Sequence, residues 1–432
     1  MARNPSSRYL LSITIIGGLF FIFGFVTWLN GTLIPFLKLA CDLHSDAQAL
    51  LVTFAFYIAY FFLALPSSAI LSKTGYKRGM SLGLLIMACG ALLFVPAATA
   101  RNFWLFLGGL FVQGMGLALL QTASNPYISI IGPIESAARR ISIMGICNKV
   151  AGALSPLILS AIVLKGASEL ETRIATADAG LRASLLAELS HRVIAPYVAM
   201  AVVLALLALM IWLSPLPEID DARIEADHRE GAAARTSIFQ FPHLLLGVVC
   251  IFVYVGVEVM AGDVIGIYGK ALGLSLDVTK NLTAYTLWAM VAGYIIGIVT
   301  IPKIIRQETA LKLSAIVGLI FTALAFVTHG YVSILFVALL GLANSLMWPA
   351  IFPLAIRGLG SLTRVGAALL IMGIAGGAIV PQVYARLKDV MSPQSAFFWS
   401  MLPCYLYILF YAMKGHLAGQ RQSSRFAPTA TD

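Results

Sequence analysis

Charge is scarce in this sequence. Of 432 residues only 11% are Asp, Glu, Lys or Arg, less than half the roughly 25% of an average soluble domain. Such a chain cannot cover itself with polar surface, which excludes an ordinary water-soluble fold and points to lipid as its solvent. The net charge of +10 would suggest nucleic acid on a soluble protein. Here the basic residues have another use, since they collect in the cytoplasmic loops of membrane proteins, and no nucleic-acid partner is expected. Cysteine is also sparse. Cys89, Cys147, Cys250 and Cys404 fall inside apolar runs and only Cys41 reads as loop-exposed, so there is no disulfide framework; a thiol in an apolar run acts as a small hydrophobe. Catalytic patterns are missing: no HExxH, no GxSxG elbow, no P-loop and no CxxC pair. The six histidines, at 44, 191, 228, 243, 329 and 416, lie in loops or at the ends of apolar runs. An enzyme is therefore not expected, nor a metal site beyond a transient sodium.

What the sequence has is apolar length. It is 60% hydrophobic with a mean hydropathy of +0.91. A helix needs roughly 20 apolar residues to cross about 30 Å of hydrocarbon. Twelve runs qualify, near 11–35, 48–71, 80–98, 103–130, 141–164, 194–214, 243–268, 281–303, 310–328, 332–357, 363–385 and 393–413. The expected fold is an all-α polytopic membrane protein. The start, MARNPSSRYLL, runs into a full-length span without a cleavage site after a short apolar core, so it reads as a retained first span and not a signal peptide. If the termini lie inside, the inner loops carry Arg3 and Arg8, then Lys73, Lys77 and Arg78, then Arg139 and Arg140, with similar clusters in the later loops. The outer loops are thinner in Lys and Arg. That asymmetry predicts cytoplasmic termini and a bacterial inner membrane.

Two polar segments interrupt the pattern. Residues 165–193 read as a partly helical extracytoplasmic loop, and residues 215–241 as a cytoplasmic linker. The linker divides the chain into a half at 1–214 and a half at 242–432. The halves echo one another. QTASNP, Gln121 to Pro126, and NSLMWP, Asn344 to Pro349, occupy the fourth and tenth runs. Gly152 to Pro156 and Gly377 to Pro381 occupy the fifth and eleventh. Repeats with proline-broken spans are the mark of an alternating-access transporter.

A polar side chain in the membrane is costly, and so is a functional candidate by default. Asn30 is the lone amide in GGLFFIFGFVTWLNGTLIPFLK. It could serve helix packing, worth about 0.6 to 2 kcal/mol, or line a cavity where a sugar hydroxyl needs both donor and acceptor. Gln121 and Asn125 are four apart and share a helix face; with Thr122 and Ser124 they are too dense for packing alone. Asn148 and Lys149 lie about 12 Å beyond Arg140 at 1.5 Å per residue. A lysine at that depth needs a partner, and Glu258 and Asp263 are the acids available. Such a pair could be static, or broken and remade as a cation enters. Asp263 lies nearer the outer end, where it could see water. Asn344, Trp348 as a stacking ring, Gln382 and Tyr285 complete the candidates.

Several of these segments resemble the fucose–galactose–glucose symporter family of the major facilitator superfamily, over nearly the whole chain. FFIFGFVTWLN, QTASNPY, YVGVEV and NSLMWPAIFPLA are similar to the family's signatures in spans 1, 4, 7 and 10. SSAILSKTGYKRG resembles a degenerate form of the superfamily's loop between spans 2 and 3, keeping Lys73, Gly75, Lys77 and Arg78, and GPIESAARR resembles the loop after span 4, with Glu135 and Arg140. The resemblance implies two six-helix halves rocking about a central site, with those two loops as gates. In the fucose branch an Asp follows the span-1 Asn, a proton-carrying Glu matches Gln121, and a Gln–xx–Asn pair stands in span 5. Here these places hold Gly31, Gln121, and Gly145 with Asn148. This chain resembles the glucose/galactose and N-acetylglucosamine branches more.

The reading is thus a monomeric secondary transporter importing a neutral hexose, glucose or galactose, by symport with sodium or a proton. Asn30, Gln121, Asn125, Asn148, Asn344, Trp348 and Gln382 would hold the sugar, and Lys149, Glu258 and Asp263 would carry ion linkage. The alternatives are an N-acetylglucosamine importer and, behind it, a drug exporter, which predicts acids in a greasy cavity and few amides. A sugar sensor or an intramembrane enzyme lacks support in the sequence.

Overall fold

A computed structural model describes residues 5–130, 137–214, 216, 237–301 and 304–419. The linker expected over 215–241 lies largely outside the described residues. Among the described residues the regular structure is helical throughout. In hydrocarbon no water is available to the backbone, and a helix satisfies its own amides.

Eleven stretches are long and apolar enough to cross a membrane. One of them, Asp46–Thr99, has 54 residues, far more than one crossing needs. Its main helix, Leu51–Leu92, is interrupted at Gly75, with φ 76 and ψ 170. That backbone turn is glycine's alone to make without strain. The stretch therefore holds two crossings, and the total is twelve. Two short helices, Ala167–Thr176 and Ala179–His191, stand between spans 5 and 6. They define one end of the bundle, the hairpin end. With twelve crossings, both ends of the described chain lie at the opposite, tail end.

Spans 1–6 pack together and spans 7–12 pack together. Span 1 lies on span 5, and span 7 on span 11. Each contact is close because one partner is glycine: a Cβ on Gly24 would sit 1.8 Å from the Asn148 carbonyl oxygen, and one on Gly376 would sit 1.7 Å from that of Phe252. Small residues let membrane helices approach where van der Waals packing must replace a hydrophobic driving force. The two halves meet along spans 5 and 8 and along spans 2 and 11.

Among the described residues, spans 1, 7, 10 and 11 are interrupted well inside their length. Span 1 breaks between Pro5–Thr27 and Asn30–Ala40. Span 7 breaks between Pro242–Gly262 and Ile265–Ala271. Span 10 breaks between Gly330–Asn344 and Met347–Ile356, and span 11 between Thr363–Met372 and Gly376–Lys388. Proline marks one of these points: Pro349 stands in the first turn of Met347–Ile356, where it has no N–H to offer the Ser345 carbonyl at the span 10 break. Span 4, where Pro126 suggested a break, is one helix, Phe103–Ile130.

Candidate functional site

The two sets of six spans enclose a cavity of about 100 Å³, room for several waters. Spans 1, 2, 4 and 5 supply one wall, and spans 7, 8, 10 and 11 the other. The lining is mainly aromatic, from Phe20, Phe23, Trp28, Tyr57, Tyr60, Tyr254, Tyr294 and Trp348. Three amides, Gln121, Asn125 and Asn148, and one charge pair join them. Most of these residues lie on the tail side of the breaks in spans 1 and 7.

The charge pair is Lys149 with Glu258, at 2.9 Å, with side chains 9% and 11% exposed. It joins span 5 to span 7. Tyr254, one helical turn before Glu258, donates its hydroxyl to the same carboxylate oxygen at 2.8 Å. The Lys149 ammonium also lies 4.6 Å from the ring centre of Trp28, within cation–π range. Two charges buried this deeply are tolerated because each has several partners; removing one of them costs far more than the pair contributes. The Trp28 ring spans the gap between span 5 and span 7. A Cβ on Gly152 would come 2.4 Å from its Cδ1, and a Cβ on Gly262 2.2 Å from its Cζ3.

Two of the amides, Gln121 and Asn148, are held through their donors. Gln121 donates through Nε2 to the Tyr60 hydroxyl at 3.0 Å, and Asn148 through Nδ2 to the Phe20 carbonyl at 3.3 Å. Their carbonyl oxygens remain for a ligand. Tyr57 and Tyr60 stack at 6.4 Å and 25°. Across the cavity Trp348 stacks on Phe352 at 5.7 Å and 25°. The result is a hollow with flat apolar faces and a few polar groups aimed inward, the usual composition of a small-molecule site.

Five of the candidates from the sequence, Asn30, Asp263, Tyr285, Asn344 and Gln382, are outside this lining. Asn344 is fully buried and accepts the Tyr405 hydroxyl at 2.8 Å, joining spans 10 and 12 away from the lining. Gln382 donates to the Ala47 carbonyl at 3.2 Å near the hairpin end. Asn30 is 1% exposed, and neither of its amide atoms has a hydrogen-bond partner. Tyr285 is 58% exposed on the outer surface of its span. Asp263, expected near water, is 1% exposed. It pairs with no lysine; Lys149 has taken Glu258. The gate candidates sit at the tail end. Lys73 and Arg78 are exposed, and Arg78 lies 5.7 Å from the Trp212 ring. Lys77 is half-buried beside the turn at Gly75. Arg140 is buried and donates to the Ile128 carbonyl at 2.9 Å. Glu135 lies outside the described residues.

The tyrosines and Trp28 were not singled out in the sequence. Tyr254 was within reach, four residues before Glu258 and so on its face. Tyr57, Tyr60 and Tyr294 give no local signal, since tyrosine is equally at home as a packing residue.

The hairpin end is closed by polar contacts between the two sets of spans. Asp46 of span 2 pairs with Lys388 of span 11, and Glu171 of the hairpin with Lys270 of span 7. Ser160 donates to Asn281 at 3.0 Å, and Lys280 to the Leu164 carbonyl at 3.2 Å.

The sequence matches the family model of the Major Facilitator Superfamily over residues 16–381. It is 35% identical to the glucose/galactose transporter of Brucella abortus biovar 1 (strain 9-941), over 95% of this chain and 96% of that one. It is 29% identical to the L-fucose-proton symporter of Escherichia coli (strain K12), over 89% of each. Among solved structures it is similar to the major facilitator superfamily transporter FucP in the outward conformation, with a TM-score of 0.72, 25% identity, and 94% of this chain and 98% of that one covered. The chain belongs to the major facilitator superfamily and, within it, to the fucose–galactose–glucose family of symporters. It is a multi-pass membrane transporter and not an enzyme.

Proposed function

We propose that this protein imports a neutral hexose, glucose or galactose, across a bacterial inner membrane by cation-coupled symport. The single observation that carries the reading is the Lys149–Glu258 pair inside an aromatic, amide-bearing cavity shared by both sets of spans. A neutral sugar needs flat faces for its C–H surfaces and amide oxygens for its hydroxyls. Gln121, Asn125, Asn148 and Trp348 supply both. The names of the relatives point the same way, toward glucose, galactose and fucose.

On this reading the termini lie in the cytoplasm and the hairpin end faces outside. Lys73, Gly75, Lys77, Arg78 and Arg140 belong to the gate on the cytoplasmic side. The charge pair ties span 5 to span 7 across the interface. Rocking of the two bundles must loosen it, and a sugar hydroxyl that takes the place of Tyr254 on Glu258 helps to do so. An exporter of lipophilic cations would need an acid free to meet its cargo. Here the cavity's acid is already answered by Lys149.

Uptake of labelled glucose, galactose and N-acetylglucosamine into proteoliposomes tests the reading. Glucose or galactose should accumulate against a gradient. Uptake of no hexose by folded protein would reject it.

A further inference from the structure

Asn30 and Asp263 are left over by the sugar site, and they lie at matching places. The first helix of span 1 ends at Thr27 and that of span 7 at Gly262. The two breaks meet. A Cβ on Gly31 would come 2.3 Å from the Thr283 hydroxyl oxygen, and that hydroxyl caps the Gly262 carbonyl at 2.8 Å. Thr286 caps the Ala261 carbonyl in the same way, also at 2.8 Å. The hydroxyl of Tyr57 and the backbone amide of Gly31 face the Asp263 carboxylate, but neither completes a hydrogen bond.

Four polar atoms at this junction are therefore buried without a hydrogen bond: both oxygens of Asp263, and the oxygen and nitrogen of Asn30. Each residue is 1% exposed. A buried polar atom left unpaired costs about 1–3 kcal/mol, and a carboxylate more, so sequences do not keep several in one place without cause. Glu258 lies near Asp263. Among the described residues, the one cation near Asp263 is Lys149, already paired with Glu258. Unwound segments of paired transporter helices are where oxygen atoms gather around a coupling ion.

We infer that the junction of the two helix breaks is a sodium site, with the Asp263 carboxylate, the Asn30 amide oxygen and the Thr283 hydroxyl as ligands. A hard cation is held by several oxygens at once. That uses an amide oxygen and a carboxylate together, where a proton on Asp263 would use only one atom. Among the described residues there is no group of three or more His, Cys, Asp or Glu, so a transition metal is not the guest. Tyr57 connects this site to the sugar cavity, lining that cavity while its hydroxyl faces Asp263. The inference deepens the reading of cation-coupled transport and rests on it, but its first test needs no sugar.

Thermal melting of purified protein in detergent, at fixed pH and ionic strength, should show a higher Tm in sodium chloride than in choline chloride. The concentration giving half of that rise should increase tenfold or more in Asn30→Ala, and Asp263→Asn should abolish it. If those variants do not fold, Asp263→Glu and Thr283→Val serve, and each should weaken sodium by tenfold or more. Uptake in proteoliposomes should follow sodium at constant pH. A wild-type melt indifferent to sodium overturns the site. So does a sodium response that survives Asp263→Asn, or uptake that follows pH and ignores sodium. A sodium response without hexose uptake would leave this site standing and reject the sugar reading alone.

Discussion

The middle of the molecule and its hairpin end join the same two bundles by opposite means. In the middle one ion pair, Lys149 with Glu258, is buried about nine-tenths and shares its partners with Tyr254 and Trp28. At the hairpin end the contacts are more numerous and wetter. Glu171 and Lys270 have side chains 40% and 43% exposed. Asp46 and Lys388, the other pair that crosses, have side chains 17% and 16% exposed. Exposed pairs contribute about 0.2–1 kcal/mol each, because water replaces what is lost when they part. A buried pair has no such substitute. The hairpin end is thus built to open at little cost. The middle is built to open only when something else takes over its charges.

The widest break in that comparison is Lys149→Ala. It leaves Glu258 buried without its cation, with only the Tyr254 hydroxyl on it, and should destabilise the protein by about 3–5 kcal/mol, with loss of accumulation. Lys149→Met combined with Glu258→Gln should regain most of the Tm without regaining accumulation. A single variant that melts like wild type would show that the pair is already wet.

Glycine substitutions sharpen the contrast in packing. Gly262→Ala pushes a methyl to within 2.2 Å of the Trp28 ring and should cost about 1–3 kcal/mol as overpacking. Gly266→Ala, four residues nearer the hairpin end, meets only the Thr279 carbonyl oxygen at 3.3 Å, and should melt within about 0.5 kcal/mol of wild type. Equal losses would mean that the middle is no tighter than the end.

At the hairpin end, Asp46→Asn with Glu171→Gln removes both ion pairs that cross between the bundles there. The outward-open population should rise on the order of tenfold, the sum of two such pairs. Labelling of Ile267→Cys from outside, in a background without native cysteines, reads that change. Unchanged labelling would mean that the ion pairs do not hold this end shut. Smallest of all, Tyr285→Phe, on the outer surface of span 8, should leave uptake within twofold of wild type.

Much of the architecture was legible because lipid imposes length. Twelve apolar runs, their order and a partly helical loop over 165–193 followed from composition; that the loop is a hairpin of two helices, Ala167–Thr176 and Ala179–His191, did not. The breaks were legible only at span 10, where Pro349 follows the interruption between Asn344 and Met347. Proline was the signal sought, yet span 4 continues through Pro126, while span 1 breaks beside Trp28 and span 7 beside Asp263. There the cause is tertiary: threonines on span 8 cap the carbonyls at the span 7 break, and no local pattern announces them. The amides show the same limit. Gln121, Asn125 and Asn148 reach the cavity, but Asn344 turns to Tyr405 and Gln382 to a backbone carbonyl. A helix fixes which residues share a face; which face meets the hollow depends on the neighbours.

Sugar affinity in two purified variants puts the shared cavity to the most direct test. Gln121→Ala should weaken galactose or glucose binding at least tenfold. Asn344→Leu with Tyr405→Phe, which removes both ends of a bond outside the lining, should bind within twofold of wild type, since deleting both partners together is nearly neutral. The reverse pattern, with the double variant impaired and Gln121→Ala intact, would place the sugar among spans 10 and 12 and contradict the account.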